Sequence, residues 1–327
     1  MQVLVTGGAG YIGSHVCKAL AALGHVPIAY DNLSRGNPWA ARWGPLEIGD
    51  IADSARLREV FERHAPAAIM HLAAYAYIAE SIEHPSLYYE NNVGGSATLF
   101  RAMAEWKVVP VVFSSTCATY GVPDTSPISE DHPQRPINPY GYSKLVVERM
   151  LSDMERARGM RSVSLRFSNA AGADPDGEIG EAHDPEPHLI PRVLAAARDG
   201  VAVTVYGNDY ATPDGTCIRD YVHVTDIACA HVRALDYLLA GGTSCALNLA
   251  NARGYSVLEV IETARRVTGR TIDVKVLPRR QGDPPALVGA GDRARRVLGW
   301  TSARSTLETQ IADAWRWMQR QSARAGR

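Results

Sequence analysis

Lysine is scarce in this chain: Lys18, Lys107, Lys144 and Lys275 stand against thirty arginines in 327 residues. The imbalance reads as genome composition, and no function attaches to it. It does make a lysine inside a motif informative. Net charge is equally lacking, at −1, which removes the electrostatic argument for a nucleic-acid or anionic-membrane partner. The cysteines are few and odd in number (Cys17, Cys117, Cys217, Cys229 and Cys245) and show no C-x-x-C spacing. That pattern fits a reducing compartment and argues against a disulfide framework or a cysteine-rich zinc site, so no metal is expected. No stretch approaches 18 consecutive apolar residues, so no membrane span is expected. The chain enters an apolar strand at Gln2 with no basic, signal-like segment before it, and the cytoplasm is the expected location.

What is present is a soluble globular composition, 46% hydrophobic and 21% charged, on a chain long enough for a large core. Val- and Ile-rich runs at Gln2–Thr6, Val26–Tyr30, Ala67–Leu72, Val108–Ser114 and Ser162–Phe167 read as strands. Helical patterns lie between them at Ile12–Leu23, Ser54–His64, Ser96–Trp106 and Tyr140–Arg158. Continuous apolar strands separated by helices predict an α/β fold, a doubly wound parallel sheet covered on both faces. Past Gly172 the texture changes: 173–191 is dense in Pro, Asp, Glu and Gly, and 207–215 is loop-like. Helices over Val224–Leu239, Val257–Thr268 and Leu307–Met318 and a strand over Thr271–Leu277 predict a smaller α/β C-terminal region. The expected division is 1–175 and 176–327, with later segments returning to the first part. The polar, basic 319–327 reads as a frayed tail.

The first strand runs into Thr6-Gly7-Gly8-Ala9-Gly10-Tyr11-Ile12-Gly13. Glycines between a strand and a helix permit a tight turn and close backbone approach, and a helix N-terminus offers unpaired N–H groups to a pyrophosphate. Both G-x-G-x-x-G (Gly8, Gly10, Gly13) and G-x-x-G-x-x-G (Gly7, Gly10, Gly13) are satisfied. Asp31 ends the second strand, where a carboxylate holds ribose hydroxyls and repels a 2′-phosphate, favouring NAD over NADP. Arg35 nearby softens that preference. Asp50-Ile51 and Leu72-Ala73-Ala74 fall at the same carboxyl edge of a Rossmann-type sheet.

Tyr140 and Lys144 are four residues apart in the first turn of a helix, so both side chains reach one small volume. A fixed ammonium favours the phenolate. Lowering a phenol by roughly three units amounts to about 4 kcal/mol and would give a general base suited to neutral pH.

With both signals in hand, the chain resembles the extended short-chain dehydrogenase/reductases, and within them the UDP-glucose 4-epimerase family. The resemblance covers nearly the whole length. It rests on 6–13, Asp31-Asn32-Leu33, Tyr88-Tyr89-Glu90-Asn91-Asn92-Val93, Phe113-Ser114-Ser115-Thr116, Pro139-Tyr140 and Asn169-Ala170-Ala171-Gly172-Ala173-Asp174. Further blocks are Gly207-Asn208-Asp209-Tyr210, Arg219-Asp220-Tyr221-Val222-His223-Val224 and Arg279-Arg280-Gln281-Gly282-Asp283. It implies that Tyr140 is the catalytic base, Lys144 its electrostatic partner with a second role on the nicotinamide ribose, and Thr116 a hydrogen-bond partner of the reacting sugar hydroxyl. It implies NAD contacts from Gly7, Gly10, Tyr11, Ile12, Gly13, Asp31, Asn32, Asp50, Ile51, Leu72, Ala73, Ala74, Asn91 and Phe167 as well as Tyr140 and Lys144. For a UDP-sugar it implies Asn169, His188, Leu189, Tyr206, Arg219, Arg280 and Asp283, beside Thr116 and Tyr140. A homodimer joined through helices of the NAD domain is also implied.

The chain departs from the family at Phe167-Ser168, where Tyr-Phe is usual. It departs again at Ala76, where some members have lysine, and at His188, where many have asparagine. The implied activity is interconversion of UDP-glucose and UDP-galactose through a 4-keto sugar. A 4,6-dehydratase would carry Asp-Glu after Thr116, and a decarboxylase would keep the Glu; Cys117-Ala118 supplies neither. UDP-N-acetylhexosamines and UDP-pentoses stay open as substrates, because Leu287 is intermediate in bulk at a position that sets room beside the sugar. A non-catalytic NAD(H) sensor is the reading of a different class.

Overall fold

The computed structural model describes residues 1–280 and 284–325. Six strands open the chain: β1 (Gln2–Thr6), β2 (Val26–Asp31), β3 (Leu46–Ile48), β4 (Ala68–His71), β5 (Val111–Thr116) and β6 (Ser162–Phe167). Then come β7 (Asn169–Ala171), β8 (Val203–Tyr206), β9 (Ile218–His223), β10 (Cys245–Asn248), β11 (Gly254–Ser256), β12 (Val274–Leu277) and β13 (Ala286–Leu287). The helices are α1 (Tyr11–Ala22), α2 (Ser54–His64), α3 (Ile78–Glu83), α4 (Pro85–Tyr88), α5 (Ser96–Trp106) and α6 (Pro139–Arg158). They continue as α7 (Leu189–Asp199), α8 (Val224–Leu239), α9 (Val257–Thr268), α10 (Asp292–Leu298) and α11 (Leu307–Ala325).

Seven strands form one parallel sheet in the order β10-β6-β5-β4-β1-β2-β3. This is the doubly wound α/β arrangement expected from the alternation of strands and helices. Successive strand side chains face opposite sides. Val3 and Val5 pack with Val16 and Leu20 of α1 and Ile227 and Leu235 of α8. Leu4, between them, packs with Leu57 and Phe61 of α2 and with α5 and α6 through Leu99 and Leu151. Both faces are therefore buried, which explains apolar runs without polar alternation. The C-terminal region has its own core, where Val193 and Leu194 of α7, Val260 and Ile261 of α9 and Ile311 of α11 meet.

Three boundaries differ clearly from expectation. β12 starts at Val274 rather than Thr271. β5 starts at Val111 rather than Val108 and runs on to Thr116; Pro110, which has no N–H, precedes it and accepts only from Ile69 N. The predicted frayed tail is helical through Ala325, because its Gln, Arg and Ala residues are strong helix formers even without an apolar face. The seventh strand, β10, comes from well past the expected division and pairs with β6. No helix among the described residues is long and apolar enough to cross a membrane.

Candidate active site

The carboxyl ends of β1, β2 and β4 converge on the glycine loop. Gly7 has φ 72, and a Cβ there would lie 2.8 Å from the Ala73 backbone nitrogen. A Cβ on Gly13 would lie 2.0 Å from the Gly7 oxygen, so the loop and α1 pack backbone to backbone. Gly10 caps α1 with no side-chain hydrogen bond, leaving the first-turn amides of Tyr11, Ile12 and Gly13 without an intrahelical acceptor, as at any helix start. Asp31 accepts from Ala9 N at 3.0 Å and Leu33 N at 2.9 Å. Its carboxylate is thus fixed beside the loop. Burial raises its pKa, opposed by those two amides.

The neighbouring cofactor positions are pinned in the same way. Asn32 donates to Asp50 Oδ2 at 2.7 Å, and Ile51 is buried beside them. Leu72 N and Ala73 N donate to the Thr6 carbonyl and hydroxyl, and Ala74 continues that edge. Arg35 pairs with Glu80 at 2.5 Å and lies over the rings of Tyr75 and Tyr77. It is thereby committed to α3.

α6 begins where Asn138 accepts from Gly141 N at 2.8 Å and Pro139 takes the first helical position. A Cβ at Gly141 would meet the Ala118 oxygen at 2.5 Å. That close approach brings Tyr140 beside Thr116, whose hydroxyl favours the phenolate. Thr116 accepts from Ala118 N at 3.1 Å, and Phe167 faces it across the β5–β6 ladder. Lys144 is buried, donates to the Ser114 carbonyl at 2.9 Å and sits 4.8 Å over the Phe113 ring.

The electrostatics differ from the expectation that Lys144 alone depresses the phenol. Tyr140 keeps partial surface access, but dense surroundings push its pKa up to about 12, which the nearby Thr116 hydroxyl only partly offsets. Burial drops Lys144 to about 7, opposed by the charge of Glu148. Its ammonium is aimed at a backbone oxygen rather than at the phenol. In the protein alone, desolvation dominates both groups.

On the other side, Asn169 of β7 donates to the Asp220 carbonyl on β9 at 3.1 Å. Arg219, also on β9, donates to the Ile218 and Pro284 carbonyls at 2.9 Å. Arg280 lies 4.3 Å over the Tyr206 ring. Leu189 begins α7, with His188 as its N-cap residue. The His188 Nδ1 faces Glu181 at 2.7 Å and Glu186 at 2.8 Å. Leu287 packs against Cys117, Tyr120 and Ile128, next to Thr116. Asp283 lies outside the described residues.

Sequence reasoning missed the supports of this site. Asn92 bonds Tyr75 through both its amide groups and donates to Ser143 Oγ at 3.0 Å, tying β4's exit to α6. The nearest expected residue, Asn91, donates to Asn92 at 2.9 Å. Glu148, one turn beyond Lys144, receives two bonds from Arg166 and one from Ser115 at 2.5 Å. Its i, i+4 spacing from Lys144 was the available signal. Also missed was the pairing of Glu181, His183, Glu186 and His188 in a stretch that reads as mere loop.

A glycine turn, a buried carboxylate beside it and the Tyr140, Lys144 and Thr116 side chains line one parallel-sheet edge, the arrangement of a dinucleotide-binding α/β fold. The model of the NAD dependent epimerase/dehydratase family matches residues 3–250, and the chain belongs to that family. It is 50% identical over 324 residues to the UDP-glucose 4-epimerase of Rhizobium meliloti, covering 98% of both chains. It is similar to the crystal structure of UDP-glucose 4-epimerase from Brucella ovis in complex with NAD, with TM-score 0.94 and 52% identity over 96% and 97% of the two chains. The UDP-glucose 4-epimerase of Bifidobacterium longum, in complex with NAD+ and UDP, aligns with TM-score 0.93 and 34% identity, covering 98% and 99%.

Proposed function

We propose that this chain is an isomerase that interconverts UDP-glucose and UDP-galactose by oxidation and re-reduction at sugar C4. The observation that carries the reading is Tyr140 set beside Thr116 one helical turn from buried Lys144, at the sheet edge that also holds the glycine loop. Near-full-length likeness to UDP-glucose 4-epimerases supports it. The cradle fits NAD: its glycines stand where any Cβ would strike backbone, and Asp31 is oriented by two amides. When bound, NAD+ supplies the hydride acceptor for C4 and a positive charge that favours the phenolate.

Tyr140 removes the proton from the sugar O4 and returns it after the 4-keto sugar has turned. Thr116 orients O4 against the phenol. Lys144, held by Ser114, offers its remaining protons to the nicotinamide ribose and to the phenolate. Asn169, Arg219 and Arg280 hold the diphosphate while the hexose swings, since a planar guanidinium suits phosphate oxygens. His188, Leu189 and Tyr206, with Asp283, cradle the rest of the nucleotide. Functionally we divide the chain at 175/176 into a cofactor part and a UDP-sugar part, with β10 and α8 returning to the first. We further infer a cytoplasmic homodimer joined through helices of the cofactor part.

Purified protein incubated with UDP-galactose and no added NAD tests the reading. Conversion to UDP-glucose is expected from co-purified cofactor, and Tyr140→Phe is expected to lose turnover about a thousandfold while keeping NAD. Native-rate turnover in that variant would overturn the assignment of the base. A sensor of NAD(H) would bind nucleotide and convert nothing. UDP-N-acetylgalactosamine and UDP-xylose assayed in parallel decide what Leu287 admits.

A further inference from the structure

The segment leading into α7 gathers four ligating side chains away from the reacting centre: Glu181, His183, Glu186 and His188, whose donor atoms all lie within 4.8 Å of one another. We propose that these four residues form a four-coordinate His2Glu2 site for a divalent transition ion of the zinc class.

The geometry carries this. Both imidazoles present the same atom, Nδ1, to the same two carboxylates. His183 Nδ1 lies 3.2 Å from Glu181 and 3.4 Å from Glu186; His188 Nδ1 lies 2.7 and 2.8 Å from them. A tetrahedral ion with bonds of about 2.0–2.1 Å spaces its ligands about 3.3 Å apart. The His183 separations match that edge, and the His188 pair needs to open by about half an ångström. His183 Nδ1 is buried and meets both carboxylates at ion-pair distance without an aligned hydrogen bond. Two carboxylates and two neutral imidazoles would balance a divalent charge, with a donor set that suits zinc or cobalt better than magnesium or calcium.

The surroundings hold the rings in place. Tyr11 and Tyr77 pack edge-on against His183, and Tyr77 packs against His188. The charges beyond them are Arg35, over Tyr77, and its partner Glu80. A second cluster among the described residues, the carboxylates Asp174, Asp176 and Glu178, differs in kind. Lys18 Nζ already lies 2.8 Å from all three, which leaves it no need of a cation. An ion in the His2Glu2 site would link the α7 entry to the glycine-loop helix through Tyr11, and ligation by Nδ1 leaves the His188 Nε2 to face elsewhere.

Chelator-treated, full-length protein is titrated with Co2+ and, separately, with Zn2+ under equilibrium dialysis. One ion per chain is expected, with visible d–d absorption of a four-coordinate cobalt centre, no thiolate charge-transfer band, and release of protons on uptake. Zinc is expected to raise the thermal midpoint. His183→Ala and Glu186→Gln, checked for native circular dichroism and retained NAD, are each expected to weaken binding more than about a hundredfold. Binding well below one ion per chain at micromolar metal overturns the proposal. So does a thiolate band, or unchanged affinity in both variants, since either puts the ion elsewhere.

Discussion

Lys144→Met should exchange catalysis for stability. The ammonium is buried, and its pKa falls to about 7 from an ordinary value of 10.5. Between those values the unfolded chain keeps a proton that the folded chain releases. Stability therefore rises with pH through that window, and the penalty is complete below it. A gap of about 3.5 units corresponds to about 5 kcal/mol. Methionine keeps the apolar contact over Phe113 but leaves the Ser114 carbonyl without its donor, at about 1–3 kcal/mol. A net gain of about 2–4 kcal/mol is expected below about pH 7, turning into a net loss of about 1–3 kcal/mol near pH 10.5. Urea midpoints of cofactor-stripped parent and variant, measured across that pH range, read this directly. Turnover with UDP-galactose should fall about a thousandfold. A variant no more stable than the parent in mild acid, or a difference that is flat in pH, would refute the reasoning.

Glu148→Gln should destabilise the chain by about 3–5 kcal/mol, because it strands the buried Arg166 guanidinium. The double change Glu148→Leu with Arg166→Met should recover most of that loss in a urea titration; no recovery would mean the pair is not the cause. Asp31→Ala removes the acceptor for Ala9 N and Leu33 N and should weaken NAD binding about 10- to 100-fold by fluorescence titration. Affinity within twofold of the parent would place the ribose elsewhere. Gly13→Ala drives a Cβ into the Gly7 oxygen and should cost about 1–3 kcal/mol together with most NAD affinity.

Much of the sheet was legible because its strands are buried on both faces and read as unbroken apolar runs. Gln2–Thr6 and Ser162–Phe167 match their expected limits for that reason. The shortest strands were not legible. β7 and β11 have three residues each, and β13 two, too few for periodicity to register. Tyr140 and Lys144 stood out by type and spacing, whereas Thr116 came only with the family resemblance. The charge state of the pair was not, since it depends on how tightly Gly141 lets α6 approach Ala118 and on where Lys144 turns. Glu181 and His183 escaped notice because the chemistry arises only when four residues of a loop fold inward together.

The position of β10 bears on how the chain is made. Its partner β6 is finished at Phe167, but the strand that covers it ends at Asn248. About 80 residues separate them, or on the order of 4–16 s of synthesis at 5–20 residues per second. Throughout that interval the nascent sheet carries an open, apolar margin able to pair with any other extended segment. A fragment halted at the functional boundary would keep that margin permanently and should precipitate or recruit chaperones. The division that separates cofactor from sugar is thus no place to cut the gene.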